Sequence, residues 1–228
     1  MEKLQVLYFL RKLYWNFHSL TWDEFLFGSG YAEEIEQIVE ISITHLNRKN
    51  PSLLDIGCAT GSYSIAFAKK KSTVIGIDYA KKMIRKAEQK VITLGLKDVT
   101  FLVNDFNRGL NFKNAQFDIV VTAHIFRAVE DVSSFTNEIT RILNEDGLLL
   151  VVSKKMMESR NAVSEKNKNF SGLLLKGVKP LIFPGQKKQN IDLEKLRIQI
   201  ESSGLSLLHQ SETLRNNLLL FKKHSLRR

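Results

Sequence analysis

Short apolar runs alternate with amphipathic stretches through most of the chain, and this alternation predicts its elements. Runs ending near Ile56, Ile77, Val103, Val121 and Val152 have strand length and β-branched character, predicting strands over 52–56, 73–77, 99–103, 117–122 and 147–153. Helical patterns over 62–70, 80–93 and 132–143 lie among them, and a helix over 192–203 precedes a strand pair over 205–210 and 218–222. Upstream, Ile35, Ile38, Val39, Ile43 and Leu46 form one apolar stripe between Tyr31 and Leu46, set against Glu33, Glu34, Glu36 and Glu40. That is an amphipathic helix with acids favourably placed at its dipole-positive start. Strands and helices alternating in this way predict a parallel sheet covered by helices on both faces.

Two segments depart from the pattern. Residues 1–29 are dense in aromatics (Tyr8, Phe9, Tyr14, Trp15, Phe17, Trp22, Phe25 and Phe27), and Leu4, Leu7, Leu10, Tyr14 and Phe17 recur at helical spacing before Gly28-Ser29-Gly30 breaks the run. Such an arm can wall a pocket, pack on the core, or lie on a membrane surface, and all three readings stay open. Residues 154–190 are lysine-rich, carry Pro180 and Pro184, and are too long for a plain connector; they predict a loop-rich, substrate-side insertion.

The densest signal is Leu53-Leu54-Asp55-Ile56-Gly57-Cys58-Ala59-Thr60-Gly61. A strand ends beside a carboxylate, and the backbone then turns through two glycines into a helix, where small residues admit a ligand against the main chain. Asp78 ends the second strand about 20 residues later, where a nucleotide-binding βαβ unit places its ribose-binding acid. A nicotinamide fingerprint needs a third glycine near Ser62 and a helix start that welcomes pyrophosphate. Asp55 would repel a pyrophosphate and suits a cofactor whose near end is cationic. S-adenosylmethionine has that character.

These residues resemble motif I of the class I, Rossmann-like S-adenosylmethionine-dependent methyltransferases. The resemblance continues through Val74–Ile84, Val99–Phe106, Phe117–Val121 and Leu143–Val152, five ordered motifs over roughly residues 50–153. Within that family the chain looks most like the small-molecule enzymes of ubiquinone and menaquinone biosynthesis. The implied fold is α/β: a Rossmann-like, doubly wound, mostly parallel seven-stranded sheet with an antiparallel last strand. An N-terminal helical arm (1–29) precedes a methyltransferase domain (30–228). By the same resemblance Gly57, Cys58, Ala59 and Gly61 line the methionine and sulfonium part of the cofactor, and Asp55 helps hold its cationic end. Asp78 takes both ribose hydroxyls, Tyr79 and Met83 flank the adenine, and Asn104, Asp105 and Phe106 complete its pocket, with Asp105 accepting from the exocyclic amine.

Composition narrows the rest. The chain of 228 residues suits one α/β domain with a substantial core. A single cysteine, Cys58, excludes an internal disulfide and reads as a small buried residue of the cofactor turn. No run approaches the ~18 apolar residues of a membrane span, and Arg11 and Lys12 follow Leu4–Leu10 without a cleavage site, so the expected compartment is cytoplasmic. The net charge of +10 is lopsided: residues 1–153 hold 18 basic and 18 acidic residues, whereas 154–228 hold 16 and 6. That excess suits either an anionic partner or a solvated lysine-rich surface.

His124 stands where the fourth strand ends, at the point to which the family directs the transferable methyl group. It either deprotonates or orients an acceptor, or simply packs there. The segment Thr122–Phe126 lacks the Asn/Asp-Pro-Pro-Tyr/Phe signature of amino-methylating nucleic-acid enzymes, and the five histidines show no metal-ligand spacing. The expected activity is methyl transfer from S-adenosylmethionine to a small organic acceptor, anionic ones among the candidates, by in-line displacement. An RNA-modifying methyltransferase using the basic last third, and a cofactor-binding module without catalysis, are the alternatives.

Overall fold

The computed structural model describes residues 2–27, 30–155 and 191–224. Most of the predicted insertion, residues 156–190, therefore lies outside the described residues. Seven strands form one sheet: β1 (Ser52–Ile56), β2 (Thr73–Asp78), β3 (Val99–Val103), β4 (Phe117–Ala123), β5 (Leu143–Lys154), β6 (Leu205–Glu212) and β7 (Asn216–Lys223). Their spatial order is β3-β2-β1-β4-β5-β7-β6. Strands β1 to β5 pair in parallel, and β7 runs antiparallel to both β5 and β6. The chain leaves β1 toward one edge and β4 toward the other, so the carboxyl end of β1 is the switch point at which open α/β sheets bind ligands.

Helices α1 (Glu2–His18), α2 (Trp22–Phe27), α3 (Tyr31–Leu46), α4 (Ser62–Lys69), α5 (Lys81–Thr93), α6 (Val132–Ile142) and α7 (Leu193–Glu201) complete the described structure. Alternate residues of each strand feed opposite cores, as the two-residue strand period requires. Leu53, Ile119, Val121, Leu148 and Leu150 pack against Ile35, Ile38 and Val39 of α3 and Phe67 of α4. Leu54, Ile56, Val120, Leu149 and Val151 meet Phe135 and Ile139 of α6 and Leu196 and Ile200 of α7 on the other face. Burying both faces explains why the central strands read as almost unbroken apolar runs.

Two boundaries differ from the sequence pattern. Strand β5 starts at Leu143, not near residue 147, because fully buried Leu143 pairs with Phe117 across a register shift before the chain reaches Gly147. A Cβ on Gly147 would lie 2.7 Å from the Asn144 carbonyl, so the bend there requires glycine. The arm is two helices, and of the residues that recur at helical spacing Tyr14 is buried while Phe17 is exposed.

Buried polar residues fasten the elements at both ends. At the amino end of β4, Asp118 accepts from the Ser52 amide and hydroxyl (both 2.9 Å), from Asn144 Nδ2 (2.8 Å) and from Arg48. Burial alone would push this carboxyl up; those donors outweigh it and hold it below the ordinary aspartate value. Glu34 of α3 joins the helix to the β6–β7 turn, accepting from Thr213 Oγ1 (2.6 Å), Arg215 Nη1 (2.9 Å) and Asn216 Nδ2 (2.9 Å). Replacing Glu34 with alanine strands the buried Asn216 amide, at a cost of about 2 kcal/mol. The expected outcome is a melting temperature lower by about 4–8 °C in a thermal scan, with Glu34→Gln losing less.

Candidate functional site

The site is built at the carboxyl ends of β1 and β2. Gly57 and Cys58 both donate their amides to the Ile77 carbonyl (2.8 and 3.0 Å), pulling the chain leaving β1 across the end of β2. Gly57 (φ 71°), Ala59 (φ 48°) and Gly61 (φ 80°) all take left-handed conformations, and the loop closes with the Gly61 amide on the Cys58 carbonyl at 2.8 Å. The glycines are needed for a reason other than ligand clearance. A Cβ at Gly57 would meet Ile125 Cγ2 at 2.5 Å, and one at Gly61 would meet Phe101 Cζ at 2.8 Å. At both, protein side chains occupy the space that a Cβ would take.

Two buried carboxylates hold this loop. Asp55 turns inward, and its Oδ2 accepts from the Ser64 hydroxyl (2.6 Å) and amide (3.1 Å), fixing the first turn of α4. Asp78 spans the gap between β2 and the loop, accepting from the Ala59 amide (3.1 Å) on one oxygen and the Ala80 amide (2.8 Å) on the other. Burial pushes both carboxyls up to about 6, against the lowering effect of these hydrogen bonds. Each oxygen of Asp78 has one protein donor, so the carboxylate keeps acceptor capacity for two further hydroxyls.

Beside Asp78 a cavity of about 280 Å³ is lined by Tyr8, Lys12, Tyr79, Asn104, Asp105 and Arg108, among others. Asn104 donates its amide to the Asp78 carbonyl (3.1 Å), while its side-chain Oδ1 is buried without a hydrogen-bond partner. An orphaned acceptor of this kind at a cavity wall fits the amine donor of an adenine. Asp105 lines the same cavity, its Oδ1 accepting from the Asn107 amide (3.1 Å) and its Oδ2 lying 3.5 Å from Arg108 Nε. An acceptor-rich wall next to a buried carboxylate that has spare lone pairs fits a nucleoside.

The other residues marked from sequence divide. Tyr79 lines the cavity, and burial raises its phenol above the ordinary tyrosine value. Met83 does not face the cavity: it is 1% exposed inside the fold, on the face that α5 turns to the core. Phe106 packs toward the core with its ring 5.4 Å from Phe135, away from the cavity wall. Cys58 is buried against Gly76, and burial pushes its thiol well up, which makes it inert packing. Among the described residues no group of histidine, cysteine and carboxylate side chains is arranged to hold a metal ion.

His124 ends β4 in a left-handed conformation (φ 61°), with its amide on the Val152 carbonyl at 2.8 Å. Its Nε2 meets the hydroxyl of Tyr31, an inward residue of α3. The ring keeps solvent access at the rim, yet the protein surrounding it pushes its pKa down to about 4, with Lys154 and Arg127 adding repulsion. The imidazole is therefore neutral at physiological pH.

The arm supplies what sequence reasoning did not assign. Tyr8 and Lys12 enter the cavity wall from α1, and the Arg108 guanidinium sits 4.3 Å above the Tyr8 ring. The Tyr79 hydroxyl donates to the Arg11 carbonyl (3.3 Å), and Asn16 Oδ1 accepts from the Lys82 amide (2.8 Å) at the start of α5. Asp23 takes the Thr60 hydroxyl (2.6 Å) and the Lys90 amine (2.7 Å), tying α2 to the glycine loop and to α5. The aromatic density of residues 1–29 was the available signal; its targets, dozens of residues distant, left no local trace.

A doubly wound sheet, a glycine turn at its switch point and an acid ending β2 together define a nucleoside-cofactor domain of the class I transferase type. The comparisons agree: the family described as "Methyltransferase domain" matches residues 47–199, and the chain belongs to it. A phosphatidylethanolamine N-methyltransferase of Cereibacter sphaeroides is 28% identical over 109 residues, 48% of this chain and 53% of the relative. A demethylmenaquinone methyltransferase of Lactiplantibacillus plantarum is 33% identical over 104 residues, 44% of each. The chain thus spans about half the length of these curated relatives. The crystal structure of magnesium protoporphyrin IX methyltransferase from Synechocystis, with bound S-adenosylhomocysteine, superposes with a TM-score of 0.58 at 21% identity. It covers 85% of this chain and 84% of that one and shares the fold.

The raised carboxyl of Asp78 has a measurable sign. Its folded pKa of about 6 exceeds the ordinary 3.8, so its ionisation opposes folding as pH rises between those values. A ligand whose hydroxyls donate to the ionised carboxylate reverses that preference and favours proton release. Affinity for S-adenosylhomocysteine is expected to be flat above about pH 7 and to fall by up to about tenfold per unit below 6, measured by calorimetric titration. Asp55→Asn should leave that pH profile in place, because Asp55 is committed to Ser64.

Proposed function

We propose that this protein transfers a methyl group from S-adenosylmethionine to a small organic acceptor. The observation that carries the reading is Asp78: a buried carboxylate tied to both the glycine loop and α5, with acceptor capacity left over beside a nucleoside-sized cavity. When bound, the cofactor supplies a methyl group on a sulfonium, whose departure leaves a neutral thioether. The protein's task is then alignment and exclusion of water more than activation. Asp78 holds the ribose hydroxyls, Asn104 Oδ1 accepts from the adenine amine, and Tyr79 and Tyr8 wall the base. Gly57 and Ala59, partly accessible at the loop, offer backbone to the methionine end.

His124 is assigned to orientation of the acceptor. A base with a pKa of about 4 is poorly matched to taking a proton near neutrality, and Tyr31 already engages its Nε2. The names of the two curated relatives, one for phosphatidylethanolamine and one for demethylmenaquinone, support an organic small-molecule acceptor. The RNA reading draws less support. Beyond β5, Arg197, Arg215, Lys222 and Lys223 all sit in ion pairs with carboxylates, and the lysines of 156–190 lie outside the described residues.

The test combines binding with turnover. Wild type should bind S-adenosylhomocysteine at micromolar levels, and Asp78→Ala should weaken this by about a hundredfold, consistent with loss of two charge-assisted hydrogen bonds. Methyl-labelled S-adenosylmethionine incubated with lipophilic and acidic small acceptors should then yield labelled product. Activity of His124→Ala within about tenfold of wild type, without a new pH dependence near 6.5, fits orientation; a loss of about a thousandfold points to proton transfer instead.

A further inference from the structure

Among the described residues, helix α1 packs on the domain through one face. Tyr14 is buried with Leu10 and Trp15 against it, and Tyr8 points to Tyr79 and Arg108. The opposite face is apolar as well. Val6, Phe9, Leu13 and Phe17, with Leu20 just past the helix end, remain 56, 63, 55, 37 and 54% exposed. Steps of three, four and four residues set the first four in one narrow arc of the helix. A helix apolar on both faces, with one of them open, has a surface to cover.

The charge around that arc identifies the cover. Exposed Lys81, Lys82 and Arg85 lie on α5, against which α1 packs, with the Lys82 amide held by Asn16 beside the arc. The Lys86 amine reaches the Leu20 carbonyl at 3.5 Å. An apolar stripe rimmed by cations is complementary to an anionic bilayer surface, where side chains enter the acyl boundary and cations meet headgroups. A second copy fits worse, because a symmetric pairing of α1 faces would set the same basic rims against each other. Among the described residues no helix is long and apolar enough to cross a membrane, so the association is with the surface alone.

We infer that the outer face of α1 docks this protein flat on an anionic lipid membrane. The inference is independent of the reaction proposed above, although the two meet in one helix: the inner face of α1 carries Tyr8 and Lys12 into the cavity wall. Docking would therefore hold that wall against the membrane side of the protein.

The experiment is co-sedimentation of the full chain with vesicles of phosphatidylcholine alone or mixed with phosphatidylglycerol. The expected result is binding at least about tenfold stronger to the anionic vesicles, weakening as salt rises. The double substitution Phe9→Ser and Leu13→Ser should abolish it, while S-adenosylhomocysteine affinity and melting temperature stay near wild type. Lys82→Glu with Arg85→Glu should remove only the preference for anionic lipid. No binding to either vesicle by folded wild type overturns the inference. So does a concentration-dependent dimer, seen by analytical ultracentrifugation, that the serine pair dissolves, since the face would then join two copies. If S-adenosylhomocysteine does not bind but vesicles do, the cofactor site fails and the docking surface stands.

Discussion

The structure depends on carboxylates buried where β1 and β2 end. Without Asp78 between the Ala59 and Ala80 amides, the loop after β1 is tied to the neighbouring strand only through the Gly57 and Cys58 amides on the Ile77 carbonyl. Without Asp55 on Ser64, the first turn of α4 has no anchor in the sheet. These groups are costly to bury in ionised form, as their raised pKa values show. A fold that tolerates that cost keeps one of its carboxylates short of donors, and on the function proposed above the missing donors are ribose hydroxyls. Loop geometry and ligand recognition thus share a single side chain.

The arm adds a second layer to the same place. Its contacts fall on Tyr79, Lys82, Lys90 and Thr60, all beside the carboxyl ends of β1 and β2 or along α5. It joins the site because α5 begins directly after Asp78, so a helix lying across α5 reaches the cavity as well. Asp118 with Ser52 holds the amino end of the sheet, while Glu34 with Asn216 fastens α3 at the carboxyl end, where β7 starts opposite Lys154.

Much of this was legible in the residues. The strand pattern placed the sheet correctly because its central strands are buried on both faces, and the acid after β2 was found by spacing alone. What the residues left undecided has a common cause. Met83 sits at a position that could face either core or cleft, and one turn of α5 decides which; no local pattern distinguishes them. The start of β5 depended on Leu143 finding Phe117, a pairing across 26 residues. The Tyr31–His124 contact spans 93 residues, and Tyr8 reaches a tyrosine in a different element. Glycines were read as room for a ligand, yet Ile125 and Phe101 claim that room, and their approach is set by tertiary packing.

One detail of the arm bears on the shape of the cavity. Asp23 serves Thr60 and Lys90 at once, and with the Tyr79 and Lys82 contacts it belongs to a small set of polar links that seat α1 and α2 on the domain. Tyr8 and Lys12 stand in the cavity wall opposite residues that follow β2 and β3, so the contour of that wall is set jointly by the glycine loop, α5 and a helix from the start of the chain.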